Sequence, residues 1–166
     1  MERAIRLDNA YILPGSYRNF SGKPTPFNKA GGARNFCVRL TEEQAVWFRD
    51  NGFNVQERMN PNDPDSPITY VLSIKVSFAV APPNIVMISG THGTPLNEAN
   101  VGLLDSAEIQ YADIAINPYE YDVNGRHGYS AYLRDLYVTI AENPYADKYK
   151  DLVMSTGGTE EDLPWN

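Results

Sequence analysis

The sequence predicts a mainly β protein: a small barrel or sandwich of six or seven strands with one short helix. Three observations predict it. Several segments alternate apolar and polar residues with the period of two that a half-buried strand requires. Clusters of Gly, Pro and Asn-Gly cut those segments at short intervals. A single capping box marks a single helix. The 166 residues suit one domain with appendages, and the long strands of the C-terminal half favour a barrel over a sandwich.

Residues 3–13 (RAIRLDNAYIL) alternate loosely and stop at Pro14-Gly15, which reads as a strand closed by a turn. Residues 16–33 mix Arg18, Lys23 and Lys29 with Phe20 and Phe27 and are punctuated by Gly22, Pro24, Pro26, Gly31 and Gly32. Such a segment cannot bury continuously, so the expectation is an exposed ribbon or loop. Residues 34–40 (RNFCVRL) form a half-buried strand with Phe36, Val38 and Leu40 on one face and Asn35, Cys37 and Arg39 on the other.

Thr41-Glu-Glu-Gln44 fits the reciprocal capping box, Glu42 and Glu43 favour the positive end of the helix dipole, and Asn51-Gly52 supplies the stop. A helix over about residues 42–51 follows. Residues 53–58 resume as a strand, and the Pro- and Asx-rich run 60–67 is a solvent loop. Residues 68–80 (ITYVLSIKVSFAV) give the strongest strand signal, with Tyr70, Leu72, Ile74, Val76 and Phe78 on one face. Residues 84–89 (NIVMIS) read as a short buried strand, residues 90–95 (GTHGTP) as a flexible loop, and the region around Leu103-Leu104 as one helical turn. Residues 107–116 and 129–140 are two long strands joined through residues 117–128, where Asn124-Gly125 is a strong hairpin signal. From Glu142 the strand pattern stops, and the Gly, Ser and Thr content of residues 154–166 predicts a disordered tail with an acidic, apolar-tipped end.

Composition narrows the function classes. No apolar run approaches the roughly 18 residues that cross a bilayer, and no apolar stretch of signal-peptide type follows Met1, so the expectation is a cytoplasmic protein with no membrane partner. One cysteine, Cys37, excludes an internal disulfide or a Cys-based zinc site, and His92 and His127 stand far apart in sequence; neither metal nor cofactor is expected. The formal net charge of −7 conceals an asymmetry: seven of the 14 cations (Arg3, Arg6, Arg18, Lys23, Lys29, Arg34, Arg39) fall within residues 1–40 against only Glu2 and Asp8. Segregation of this kind suggests a basic face on an acidic remainder.

Candidates for catalysis are thin. Asp63 and Asp65 lie in the Pro-rich loop, His92 lacks a recognisable nucleophile or orienting acid, and Cys37 reads as packing. Asp105, Glu108 and Asp113 could serve as metal ligands of a nuclease, but no motif sets their spacing. Neither a phosphate-binding Gly-rich loop nor a dinucleotide fingerprint is present. A non-enzymatic reading has more support. Single-strand binders combine cations that follow the phosphate backbone with flat side chains on which bases stack. The runs Arg18-Asn-Phe20-Ser-Gly-Lys23, Phe27-Asn-Lys29 and Arg34-Asn-Phe36 offer that mixture, with Arg39 beyond them. Tyr119, Tyr121, Tyr129 and Tyr132 flank Arg126, and Lys75 lies on the long strand with Tyr70. Of these, Arg18, Lys23, Lys29, Arg34 and Lys75 are expected on phosphates and Phe20, Phe27, Tyr119 and Tyr129 on bases.

Two resemblances bear on this. Thr159-Glu160-Glu161-Asp162-Leu163-Pro164-Trp165 resembles the acidic tip of bacterial-type single-stranded-DNA-binding proteins, departing from it by ending in Asn166. Arg18-Asn-Phe20-Ser-Gly-Lys, Arg34-Asn-Phe36-Cys-Val, Gly52-Phe-Asn-Val55, Val71-Leu-Ser-Ile-Lys-Val76, Leu104-Asp105 and Pro118-Tyr-Glu-Tyr-Asp-Val-Asn-Gly125 together resemble a family of tailed-bacteriophage OB-fold single-stranded-DNA-binding proteins, over roughly residues 11–150. That resemblance implies an OB-like barrel with extra strands over residues 1–152 and sequence-tolerant coating of single-stranded DNA in the host cytoplasm. It also implies that an acidic tail, residues 153–166, recruits replication or recombination proteins. A homo-oligomeric state is left open. The early helix departs from the simplest OB order, in which a helix separates the third and fourth strands. The rival readings are a β-sandwich virion or interaction protein and, further off, the metal-dependent nuclease.

Overall fold

A computed structural model of the protein describes residues 3–79 and 81–141. Nine strands are found among them: β1 (Ile5–Ile12), β2 (Arg18–Asn19), β3 (Arg34–Leu40), β4 (Val55–Arg58), β5 (Thr69–Val76), β6 (Asn84–Ser89), β7 (His92–Leu96), β8 (Ile109–Val123) and β9 (Arg126–Ile140). One α-helix, α1 (Glu42–Asp50), and two 3-10 turns, Gly15–Tyr17 and Val101–Asp105, complete the described chain.

Five strands close on themselves. β1 pairs antiparallel with β3 and β8, β3 with β5, and β8 with β9; the ring shuts through a parallel contact between β5 and β9, Ile74 opposite Ala131 and Lys75 opposite Tyr132. Numbering the ring strands one to five along the chain gives the cyclic order 1-2-3-5-4, the OB arrangement, so the barrel expectation holds. β4 extends the sheet beyond β5, and β6 adds to β9 in parallel beside its contact with β5, carrying β7 as a hairpin.

The barrel interior is filled by the apolar phase of each ring strand: Leu7 and Ile12, Phe36 and Val38, Leu72 and Ile74, Ile114 and Ile116, Leu133 and Leu136. Phe20 and Phe36 stack inside it with ring centroids 4.9 Å apart. The capping box forms as its residue types require, Gln44 N donating to Thr41 Oγ1 at 3.1 Å and Thr41 N to Gln44 Oε1 at 2.9 Å. α1 buries Ala45 and Phe48, and Phe48 meets Phe53 edge-on. At the β8–β9 turn Asn124 and Gly125 both take positive φ, 53° and 79°, as a two-residue hairpin demands.

Two local expectations are corrected. Residues 90–95 are not a free loop: His92 to Leu96 pair with Ile85 to Ser89, because Leu96 opposite Ile85 completes the buried side of a hairpin. The exposed ribbon expected over residues 16–33 is interrupted: Arg18, Asn19 and Phe20 are buried between an exposed Ser16 and the open segment that begins at Ser21, since β2 pairs with β3 and drives the Phe20 ring into the core. The expected acidic tail and the boundary at residues 152/153 lie outside the described residues.

Candidate nucleic-acid interface

The outer faces of β3, β5 and β4 form one surface by register. Asn35, Cys37 and Arg39 on β3 stand opposite Lys75, Ser73 and Val71 on β5, and Gln56 and Arg58 on β4 oppose Val71 and Thr69. Strand alternation keeps this set apart from the core set. Three cations therefore decorate it: Arg39, Arg58 and Lys75. Arg39 lies over the Tyr11 ring at 4.5 Å from guanidinium carbon to centroid, and Arg58 Nη2 donates to Gln56 Oε1 at 2.5 Å.

Where β5 meets β9 the surface deepens into a groove of about 400 Å³, lined by Asn54, Ser73, Lys75, Tyr119, Tyr121 and Tyr132 among others. Lys75 Nζ sits 5.7 Å from the Tyr132 ring centroid, and Tyr132 meets Tyr119 edge to face with centroids 5.6 Å apart. Tyr119 is largely exposed. Tyr121 crosses the hairpin over Gly128, where a side chain on residue 128 would come within 2.7 Å of the tyrosine hydroxyl and 2.6 Å of Gly52 O. Glycine there leaves room for the tyrosine hydroxyl and for the close approach of Gly52 O. Tyr129 is half-buried, its ring 5.8 Å from Phe53 and its N–H donating to Gly52 O at 3.0 Å. Arg126 is exposed beside the turn. His127 Nε2 and Glu120 Oε1, 2.6 Å apart, pair across the same hairpin.

The second exposed feature is the arm of residues 21–33 between β2 and β3. Thr25 and Asn28 exchange backbone hydrogen bonds of 2.9 and 3.1 Å, and Gly32 N donates to Gly22 O at 2.7 Å. Phe27 at the tip is 100% exposed, and Lys23 and Lys29 flank it in the open. The arm runs into Arg34 and Asn35, and Asn35 pairs with Lys75, so its C-terminal root adjoins the groove.

Of the residues singled out from the sequence, Lys75, Tyr119, Tyr121 and Tyr129 come together at the groove, Arg126 lies on its hairpin, and Lys23, Phe27 and Lys29 stand on the arm. Arg39 lies on the outer face. Three expectations are corrected. Phe20 is 0% exposed and offers no face to a base, because it stacks on Phe36. Arg18 is buried: Nε donates to Leu13 O at 2.9 Å and Nη1 to Ala107 O at 2.7 Å and Leu104 O at 3.3 Å, so its guanidinium ties carbonyls together rather than meeting phosphate. Burial lowers its pKa from the ordinary arginine value, against the opposing influence of Tyr11 and Asp105. The Arg34 side chain is only 16% exposed, donates to Phe20 O at 2.8 Å and approaches Glu98 Oε1 at 3.6 Å. It belongs to the arm's root.

Tyr11 and Arg58 join the interface without having been named for it, and Tyr132, named only as flanking Arg126, proves to be the partner of Lys75. Their alternation was readable, but which strands lie side by side was not. The acids of the nuclease reading disperse: Asp105 accepts from Phe20 N, Ser21 N and Ser21 Oγ, and Asp113 from Asn9 N. Among the described residues no group of three His, Cys, Asp or Glu side chains converges, and no helix is long and apolar enough to cross a membrane.

The model of the family described as "Putative phage ssDNA-binding domain" matches residues 2–160. The chain belongs to that family. The resemblance drawn from the sequence blocks is thus confirmed for the phage single-stranded-DNA-binding family as a whole, while the acidic-tip likeness stands apart from it. Three solved structures of the single-stranded DNA-binding protein from bacteriophage Enc34 are similar to this phage ssDNA-binding domain. One, with 10% identity over 88% of this chain and 89% of that one, has a TM-score of 0.50 and supports the same fold. A C-terminal truncation has 14% identity over 85% and 87% of the two chains, with a TM-score of 0.48. A complex with ssDNA has 13% identity over 86% and 89%, also with a TM-score of 0.48. No curated protein matches the chain.

Proposed function

We propose that the protein coats single-stranded DNA without sequence preference and without catalysis. The strand runs from the arm across the outer faces of β3 and β5 to the β8–β9 hairpin. The observation that carries this path is the open groove in which Lys75, Tyr119 and Tyr132 sit together at the seam of the barrel. OB barrels bind oligonucleotides over the second and third strands and the loops joining strands one to two and four to five. In this chain those are β3, β5, the arm and the β8–β9 turn. Lys23, Lys29, Arg39, Lys75 and Arg126 neutralise phosphates; Phe27, Tyr119, Tyr121 and Tyr129 supply faces for bases, joined by Tyr132.

The acidic tip, Glu160, Glu161, Asp162, Leu163, Pro164 and Trp165, serves a separate role in recruiting replication or recombination proteins in the host cytoplasm. A run of acids cannot add to phosphate contact, whereas an apolar tip behind acids suits a basic-rimmed protein pocket. Fluorescence anisotropy of a labelled oligo-dT strand and of its duplex over a salt series tests the coating function. Tight, salt-sensitive binding of the single strand is the expected result. No binding at low salt would overturn it.

A further inference from the structure

We propose that Asp105 is a positioning residue for single-strand binding: it anchors the arm of residues 21–33 and so presents Lys23, Phe27 and Lys29 to the DNA. The inference rests on the binding path proposed above. Asp105 ends the 3-10 turn Val101–Asp105, 84 positions along the chain from Ser21, and accepts from Phe20 N at 2.5 Å, Ser21 Oγ at 2.7 Å and Ser21 N at 3.3 Å. Hydrogen bonds to an ionised carboxylate are the stronger kind. Arg34 Nη1 in turn donates to Phe20 O at 2.8 Å. Asn19 then holds both backbone groups of Lys23, its Nδ2 donating to Lys23 O and its Oδ1 accepting from Lys23 N, each at 3.0 Å. The turn packs against the arm just as closely: a Cβ on Gly102 would stand 2.9 Å from the Ser21 Cβ.

These contacts lie at the root. Beyond Lys23 the arm is held by hydrogen bonds within itself, so the direction in which the Phe27 tip points is set where Asp105 and Arg34 grip Phe20 and Ser21. An arm fixed at its root loses less conformational freedom on binding than a free one. Charge makes the role separable from electrostatics. Removing an acid near a polyanion site strengthens binding by Coulomb's law alone, so weaker binding after its neutralisation reports positioning.

The test is a binding cycle on the full chain, read by anisotropy with labelled oligo-dT over a salt series. It uses wild type, Asp105→Asn, an arm variant (Lys23→Ala, Phe27→Ala, Lys29→Ala) and their combination, with thermal unfolding recorded for each. The arm variant is expected to lower the log-log salt slope by about 1.4, at roughly 0.7 per phosphate, a loss of about 25-fold at 0.1 M salt from the charges alone. Asp105→Asn is expected to weaken binding and lower the slope in the same direction, and to cost nothing further when added to the arm variant. Gly102→Ala, which pushes on Ser21 without changing charge, reads the same cycle if Asp105→Asn does not fold. Unchanged or tighter binding by the anchoring variant, or losses that multiply with those of the arm variant, would overturn the anchoring role alone. Absence of binding by wild type would overturn the function and this inference together.

Discussion

Lys75 and Tyr132 are register partners across the parallel contact that closes the barrel, and the lysine ammonium stands 5.7 Å from the tyrosine ring centroid. The seam that completes the fold thus also sets a cation beside a half-buried tyrosine that packs on the exposed Tyr119. Phosphate neutralisation and base stacking need these two groups within about one nucleotide of each other, and strand register supplies that spacing without any loop.

Lys75→Ala is expected to reduce the slope of log affinity against log salt by about 0.7, the share of one phosphate on a single strand. Tyr119→Ala is expected to leave the slope unchanged while costing about 1–3 kcal/mol of binding, because stacking releases no counterions. Anisotropy over the same salt series measures both. A slope change for the tyrosine and none for the lysine would reverse the assignment.

Phe20 and Phe27 are expected to separate cleanly. Phe20→Ala empties a packed site and costs about 3–5 kcal/mol of folding stability. Phe27→Ala removes a fully exposed ring and leaves the unfolding midpoint in denaturant unchanged, while weakening single-strand binding. Chemical denaturation of the two variants, set beside their affinities, decides the matter; equal stability losses would sink the distinction.

Arg18→Ala leaves the carbonyls of Leu13, Leu104 and Ala107 without their donor. An unsatisfied buried polar group costs about 1–3 kcal/mol, so the midpoint of urea unfolding should fall. The salt slope of binding, measured below the unfolding transition, should stay at the wild-type value, since this guanidinium reaches no phosphate.

Burial raises the Cys37 thiol pKa, with the Ser73 hydroxyl and Arg58 pulling it down. A raised folded-state value favours the neutral thiol in the native protein. Its stabilising contribution is therefore fully present below the unfolded thiol pKa, about 8.5, and is lost as pH rises through the folded value. Unfolding free energies of wild type and Cys37→Ala, compared from pH 7 to 10, should show wild type losing ground to the variant above about pH 8.5. A constant difference would contradict the shift.

Deleting residues 156–166 removes acids and no proposed DNA contact. Single-strand affinity is expected to stay equal or rise, and capture of replication or recombination proteins on the immobilised protein to cease. Weaker DNA binding by the truncated chain would place the tail in the wrong role.

Much of the fold was legible because it depends on local pattern. The capping box at Thr41 and Gln44, the strand over residues 34–40 with its two faces, and the Asn124-Gly125 hairpin were each specified by residues close in sequence. What was hidden depends on pairing. Phe20 sits among glycines, prolines and cations that read as exposed, yet two residues of β2 pairing with β3 carry it inside. Arg18 has the sequence context of a phosphate ligand, but the Leu13 carbonyl and the approach of residues 104–107 turn it into a carbonyl tie. The strand His92–Leu96 contains Gly93 and Pro95, which weaken its local signal, and it forms because β6 offers a partner. For the interface, Lys75 and the hairpin tyrosines were visible as residue types, but their meeting required the parallel closure of β5 on β9. Arg58 and Tyr11 reach that surface through the antiparallel pairings of β4 with β5 and of β1 with β3.

The central claim is that single-stranded DNA lies over the arm, the outer faces of β3 and β5, and the β8–β9 hairpin. Ultraviolet crosslinking of the protein to an oligo-dT strand, followed by mass-spectrometric mapping of the modified residues, tests it most directly. Adducts at Phe27, Tyr119 and Tyr132, lost on competition with unlabelled single strand and retained against duplex, are the predicted result. Adducts concentrated at Tyr111 and Tyr137, exposed aromatics of β8 and β9 outside the groove, would contradict it.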